Sequence, residues 1–545
     1  MRPDGKGELE SLYFNYPRFS APEGAARDGL DRRKTVAIAG AGPVGMAAAL
    51  ALAREGVASV LIDNKDTFND GSRAICVERQ SYYMLESLGA VQPFLEKSLG
   101  WTKGRSFYRG KQILEFDMPD SEDEKFRPMY NIQQQYIEAF LYEAAAASPL
   151  IEIRWQSEVT GVRDIKNGVE VSVTDTLESY TFEADWLLAC DGGKSPVRKM
   201  RGLRLKGENY EGRYVIADVQ MDHDYPTIRR ALFDPDCRPG GTVLIHRQPD
   251  NIWRIDYQLH DQESTEEAMR EDNIRAGVAG VLHDIGHTGP WELEWWSVYT
   301  ANTLALDDYR DGRVFFVGDS AHIVPIFGVR GLNNGFADAV NIGWKLGWVL
   351  NGKAAPALLD SYTPERRGAT LDVFANASKS ARFMTPPSHG WQLMRDAALS
   401  LALDHPFAGQ LANPRQMRPY IYAGCPGVSP DGQGFTTGPE AGKVMCETRL
   451  EDGGWLSDGF GPGFNLLCFD PALAEAVRGL TSAENLTVLL LAPEGNAAQI
   501  CGANAGSAYL VRPDRHIAAR WLQASLQDVE TAYGSATGGQ GEYDD

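Results

Sequence analysis

The chain has 545 residues and carries 53 Lys and Arg against 74 Asp and Glu, a formal net charge of -21. That balance argues against nucleic acid or an anionic membrane surface as a partner, because both need clustered Lys and Arg to neutralise phosphates. Seven dispersed cysteines without CxxC or Cys/His spacing argue against disulfides and zinc, so no metal is expected. No apolar run approaches the roughly 20 residues of a bilayer span, and the expected location is the cytoplasm.

In chain order, residues 1–33 read as a polar extension draped over the body. Thr35 to Ala39 is a continuous apolar run and predicts a buried strand. GAGPVG follows at Gly40 to Gly45 and opens a helix, with Pro43 suited to its first position and Gly56 to its C-terminal cap. Ser59 to Ile62 predicts the next strand, closed by Asp63, which lies 18 positions after Gly45. Each element of this strand, turn, helix and strand unit has a task at a nucleotide. Gly40 permits the tight turn, Gly42 lets a pyrophosphate approach the backbone, Gly45 lets helix and strand pack closely, and Asp63 accepts from an adenosine ribose. The fingerprint alone does not distinguish FAD from NAD.

Between 212 and 300, RYVIADVQM, GTVLIHRQ, WRIDYQLH and WELEWWSVYT alternate with period two and predict an antiparallel sheet roofing a pocket. His246, Arg247, Asp256 and Tyr257 on these strands are candidates to bind or deprotonate a substrate, each also readable as an ordinary sheet residue. Trp291, Trp295 and Trp296 read as core packing. Arg313 to Val317 predicts another buried strand, placing Gly318 and Asp319 at its C-terminal end, where open α/β sheets collect ligands. A helix is expected from about Asn333, with Gly343 and Gly347 four apart for close packing and Gly352 as its stop. Asp319 can hold sugar-like hydroxyls, and the amides of Gly331, Leu332 and Asn333 present a positive helix end to a planar anion. A reduced flavin with its ribityl chain needs that pair, so the cofactor expected is FAD. From about 415 the pattern is that of a small α/β unit. Gly459 to Gly463 precedes a strand rather than a helix, so no second dinucleotide-binding loop is expected.

GAGPVGM (40–46), SRA (72–74), LLACDGGKSPVR (187–198) and GRVFFVGDSAH (312–322) together resemble the single-component FAD-dependent aromatic hydroxylases, flavoprotein monooxygenases of the phenol hydroxylase and 3-(3-hydroxyphenyl)propionate hydroxylase type. The resemblance implies an α/β fold in which a Rossmann-like FAD-binding domain carries an inserted antiparallel β-sheet substrate domain and a C-terminal thioredoxin-like domain. The expected boundaries are an extension at 1–33, the FAD-binding domain at 34–211 and 301–375, and the substrate sheet at 212–300 with help from 100–130. A helical linker at 376–414 and the thioredoxin-like unit, without CxxC, at 415–545 complete them. By position, Asp63 resembles the ribose acid, Arg73 and Gln134 cofactor contacts, Asp191 and Gly192 the pair beside the pyrophosphate, and Gly318 and Asp319 the ribityl site. Bland alternatives stand beside several: a surface ion pair for Arg73, an exposed helix position for Gln134, an ordinary turn for Asp191 and Gly192. The loop PIFGVRGLNN, from Pro325, departs from the family pattern at Ile326 and Val329-Arg330. The extra cation at Arg330 either steadies the flavin or an acidic substrate, or points to solvent.

The implied reaction is hydroxylation of a phenolic compound ortho or para to its hydroxyl, with O2 and with NADPH or NADH as a transient co-substrate, through a flavin C4a-hydroperoxide. A homodimer is implied as well. A decarboxylating hydroxylase or ketone oxygenase on the same fold, and a non-enzymatic redox sensor, remain alternatives.

Overall fold

The computed structural model describes residues 1–23, 33–325, 328–413, 418–480 and 485–539. Arg33–Ala39, whose last four residues are fully covered, lies inside an eight-stranded sheet. It pairs in parallel with Ser59–Ile62 and with Ser179–Ala189. These continue in parallel to Ile151–Arg154 on one side and Val314–Phe316 on the other. Such a run of parallel strands is buried on both faces, which is why they read as unbroken apolar segments.

Pro43–Arg54 forms the first helix, with Pro43 in its opening turn and Gly56, at φ +77°, just past its end. Gly331–Leu350 is the long helix, beginning two residues before the expected Asn333. The two helices touch along their backbones: a Cβ on Gly343 would lie 2.4 Å from the Ala51 Cβ, and one on Gly347 2.5 Å from the Glu55 Cβ. This contact carries the long helix's N-terminus to the mouth of the glycine turn.

All four period-two segments are strands of a second eight-stranded sheet, in the order His322–Ile323, Trp291–Ala305, Lys206–Met221, Ile252–Gln258, Thr242–Arg247, Arg229–Phe233, Lys103–Tyr108, Lys111–Asp117. The Arg229–Phe233 strand is not signalled by the sequence pattern, and it pairs in parallel with Lys103–Tyr108 from more than a hundred residues earlier. The long strands Lys206–Met221 and Trp291–Ala305 run straight through the expected boundaries near 211 and 300. One face of this sheet packs Val215, Trp253, Tyr257 and Trp296 against the Glu271–Asp284 helix. The other faces the first sheet, where the Trp295 ring presses against Gly71.

The N-terminal residues bind back onto the body: Arg2 donates to Glu294 and to Asp70, each at 2.7 Å, and Phe19 stacks on Trp155 at 4.4 Å. A four-stranded C-terminal sheet runs Leu486–Leu490, Phe464–Cys468, Ala508–Val511, Ile517–Trp521, the first pair parallel and the others antiparallel. Trp344 and Trp348 of the long helix fill its core. Among the described residues no helix is long and apolar enough to cross a membrane.

Gly343→Val is expected to force the two helices apart and lower stability by about 1–3 kcal/mol, the usual cost of overpacking. A lower thermal midpoint together with weaker retention of a cofactor in the adjoining turn would be read by differential scanning fluorimetry and visible absorbance.

Candidate functional site

A cavity of about 760 Å³ separates the two sheets and runs without interruption from the glycine turn to the inner face of the second sheet. Its first wall is the turn after Arg33–Ala39. Gly40 has φ +100°, and a Cβ there would lie 2.5 Å from the Cys190 carbonyl oxygen; one on Gly45 would lie 1.9 Å from the Gly40 oxygen. A Cβ on Gly42 would meet no protein atom within 4 Å, so that residue opens on the cavity beside the helix end at Pro43. Asp63 accepts from the Ala41 amide at 2.8 Å and the Lys65 amide at 3.0 Å, fixing the turn while its carboxylate lines the cavity.

Gln134 opens the Gln134–Ala146 helix and accepts from the Arg73 and Ala74 amides at 3.3 and 3.2 Å, so it shapes the Ser72 to Ala74 loop. The Arg73 side chain lines the cavity without an ion pair among the described residues. Asp191 accepts from the Val197 amide at 2.9 Å through one oxygen, while the other, buried, accepts no hydrogen bond of good geometry among the described residues. Gly192 follows at φ +76°.

Gly318 and Asp319 end the Val314–Phe316 strand. The Gly318 amide donates to Asp338 at 3.0 Å, turning the Asp319 carboxylate into the cavity. That carboxylate accepts no hydrogen bond among the described residues. Enclosure raises its carboxyl above the ordinary range, partly offset by His322 and Arg73. Pro325 lines the cavity; Ile326 lies outside the described residues. Val329 has φ +62°, a strained conformation for a β-branched residue at a cost of about 1–3 kcal/mol. Arg330 is buried against the cavity at the head of the long helix, which removes the solvent-facing alternative. The first-turn amides of Gly331, Leu332 and Asn333 have no intrahelical partner by helix geometry. The Asn333 side chain is occupied structurally, accepting from Glu78 and Ser81 and donating to Cys76 and Val329.

On the second sheet, strand alternation and register decide which candidates meet. His246 pairs with Arg254, Leu244 with Asp256, and Ile216 with Asp256, so His246 and Asp256 share the cavity face. Arg247 and Tyr257, one residue out of phase, point the other way. Arg247 stacks over Trp253, and Tyr257 is held in the core beneath Arg238. Burial pushes the Asp256 carboxyl up to about 7, a rise that Arg254, 3.8 Å away, only partly opposes. Its Oδ1 accepts no hydrogen bond among the described residues. Burial, with Arg229 and Arg254 nearby, drives His246 down to about 3, so its ring is neutral at working pH. Arg254 donates to Asp218 at 2.6 Å and also reaches the Ser72 carbonyl, tying the sheet to the loop opposite. Sequence reasoning missed Arg254 and Arg229. An arginine inside an apolar alternating run, as in IWRIDY, was the available signal for Arg254, while Arg229 stands on a strand that no alternation marks.

The FAD binding domain family matches residues 33–377. The chain belongs to that family. It is similar to 3-(3-hydroxy-phenyl)propionate/3-hydroxycinnamic acid hydroxylase of Klebsiella pneumoniae (strain 342), 29% identical over 366 residues that make up 66% of this chain and 64% of the relative. It thus spans a little under two thirds of that relative's length. The enzyme of the same name from Mycolicibacterium smegmatis (strain ATCC 700084 / mc(2)155) is 26% identical over 439 residues, 80% of this chain and 77% of the relative. The fold is that of the flavin-dependent monooxygenase PieE, solved in complex with FAD and substrate. There the TM-score is 0.77 and the identity 22%, over 93% of this chain and 98% of that one.

The residues present fit the family's cofactor on three counts: open space above Gly42, a cavity-facing carboxylate at Asp319 that accepts no hydrogen bond among the described residues, and a helix N-terminus at the far end. The first count separates two glycines of one motif. Gly42→Ala is expected to leave the melting temperature of the cofactor-free protein nearly unchanged while its methyl group cuts FAD uptake. Gly45→Ala is expected to lower the melting temperature itself, since its Cβ collides with backbone. Parallel melts and flavin titrations of the two variants check this.

Proposed function

We propose that this protein is an FAD-dependent monooxygenase that hydroxylates a phenolic ring ortho or para to its hydroxyl, with NADPH or NADH and O2 as co-substrates. The observation that carries the reading is the continuity of one cavity. The dinucleotide turn, the Asp319 carboxylate and the polar inner face of an antiparallel sheet open on the same space. The names of the relatives, hydroxylases of a phenolic acid, support the same chemistry.

In this reading the Gly40, Gly42, Pro43 and Gly45 turn receives the pyrophosphate at the helix end, and Asp63 takes the ribose. Arg73 and Gln134 border the cofactor, Asp191 and Gly192 lie beside the pyrophosphate, and Gly318 and Asp319 take the ribityl chain. Pro325, Arg330, Gly331, Leu332 and Asn333 frame the pyrimidine edge, where the helix end and Arg330 favour negative charge. Bound FAD, once reduced by NAD(P)H, supplies the activated oxygen. The protein binds and orients the ring and keeps water out. Asp256 Oδ1 accepts the proton of the ring hydroxyl, because a phenolate is the better nucleophile and a carboxylate held near 7 is matched to proton transfer at neutral pH. Neutral His246 offers the ring a hydrogen bond without adding charge. The C-terminal unit reads as a thioredoxin-like domain without redox work, since CxxC is absent from its sequence.

The test is direct. Purified protein is expected to take up FAD, turn yellow, and oxidise NAD(P)H faster with particular phenols in a panel, with product mass raised by one oxygen. Colourless protein that refuses FAD, or NAD(P)H consumption indifferent to every phenol, defeats the reading.

A pH dependence follows from Asp256. The base must be ionised, so kcat/KM is expected to rise with pH through about 7. In Asp256→Asn that limb should vanish and the rate fall about 10²-fold or more, as for loss of a general base. Stability carries the opposite sign. A carboxyl raised by burial contributes fully below its unfolded value of about 4 and loses that contribution as pH climbs through 7. Asp256→Asn should therefore melt higher than wild type at pH 8 and gain much less at pH 5.

A further inference from the structure

Resting on the hydroxylase reading, we propose that Arg229 is a specificity-determining residue, a receptor for a carboxylate that the phenolic substrate carries away from its reacting ring. Arg229 is 7% exposed and lines the cavity, yet its guanidinium makes no hydrogen bond or ion pair among the described residues. Three other buried arginines are paired with carboxylates: Arg254 with Asp218 at 2.6 Å, Arg366 with Asp338 at 2.6 Å and Arg512 with Glu365 at 2.6 Å. Arg198 instead donates to the Ser320 and Gly193 carbonyls, bonds that Arg229 lacks among the described residues. The groups nearest Arg229 supply no counter-charge. Burial pushes the Cys76 thiol up to about 12, and the His246 ring is neutral. Burial draws Arg229 itself down only to about 10, so it remains a cation at neutral pH. An uncompensated buried guanidinium is costly, and an anion arriving in the cavity removes that cost.

The sheet fixes where such an anion must sit. Arg230 pairs with Ile245, so Arg229 stands opposite His246, which pairs with Arg254. Asp256 lies two strands over and two residues along. At sheet spacings that is about 10 Å across and about 7 Å along, or about 12 Å between Cα atoms. An arginine and an aspartate reaching inward from those points bracket one aromatic ring with a short side chain. The ring hydroxyl faces Asp256, and a carboxylate, which matches the planar guanidinium in bidentate fashion, faces Arg229.

The experiment uses the FAD-loaded full chain and matched pairs: 3-(3-hydroxyphenyl)propionate with its primary amide, and 3-hydroxybenzoate with 3-hydroxybenzamide. Dissociation constants are read from perturbation of the flavin spectrum, and products by mass. The expected result is that wild type binds at least one acid about 30-fold or more tighter than its amide, the scale of a buried charge pair. Arg229→Met should bring that acid to the level of its amide, and Arg229→Lys should keep part of the difference. The proposal is overturned if wild type binds acid and amide equally, if Arg229→Met keeps the preference, or if that variant loses FAD uptake instead of discrimination. Equal binding with hydroxylated product sinks Arg229's role alone. Failure of wild type to bind or convert any of the four, or any phenol of the wider panel, sinks the hydroxylase reading and this proposal with it.

Discussion

The carboxylate of Asp338, buried in the middle of the long helix, accepts from the Gly318 amide at 3.0 Å, from His322 at 2.6 Å and from Arg366 at 2.6 Å. Burial works against its charge, but Arg366 and His322 hold its carboxyl below the ordinary range. Through those three bonds the end of the Val314–Phe316 strand is locked to the helix that begins at Gly331. The turn that presents Asp319 and the helix end that faces it are therefore one rigid piece. In a low-dielectric interior each of these contacts is stronger than in water, and each would be expensive to leave unmade. A cofactor held between a carboxylate and a helix terminus needs that fixed separation more than it needs either group alone.

The second sheet treats charge differently. Arg254 and Arg229 stand in one row across neighbouring strands, with neutral His246 between them. Arg254 is consumed by Asp218 and by the Ser72 carbonyl, so it serves as a strut from the sheet to the Ser72 to Ala74 loop across the cavity. Arg229 has no such task. The same residue type in the same layer thus divides into one structural and one available cation, and the division follows from a single acidic residue on the Lys206–Met221 strand.

The glycine turn, the Gly-Asp strand end and the small-residue face of the long helix were legible because their signals are local: glycines, an acid and apolar runs within a few tens of residues. The second sheet was legible as strands but not as a site. Alternation says that His246 and Arg247 face opposite ways, and likewise Asp256 and Tyr257, yet it cannot say which member faces the cavity. That depends on register between strands, set by the Leu244 to Asp256 and His246 to Arg254 pairings, which no single segment encodes. Arg229 was hidden for the same reason. Its strand is five residues long, and its parallel partner lies at Lys103–Tyr108. Asp338 was invisible as a positioning group because an acid in a helix reads as exposed until its three partners converge on it.

The C-terminal sheet enters the site at one remove. Arg512 donates to both oxygens of Glu365, at 2.6 and 2.9 Å, and Lys345 of the long helix donates to the same carboxylate at 2.6 Å. Glu365 is the neighbour of Arg366 in the Tyr362–Met384 helix, so the clamp that Arg512 applies is transmitted within one residue to the arginine that holds Asp338. Arg366 also donates to Tyr422 at 2.8 Å, and the Tyr422 ring stacks on His516 at 3.9 Å, which adds a second strut from the same quarter. Lys345 and Glu365 are both fully buried, and a buried pair of charges is tolerable only when its remaining lone pairs and protons are met. Arg512 meets them. The C-terminal unit therefore completes a polar core that the flavin-family portion of the chain begins but does not close by itself.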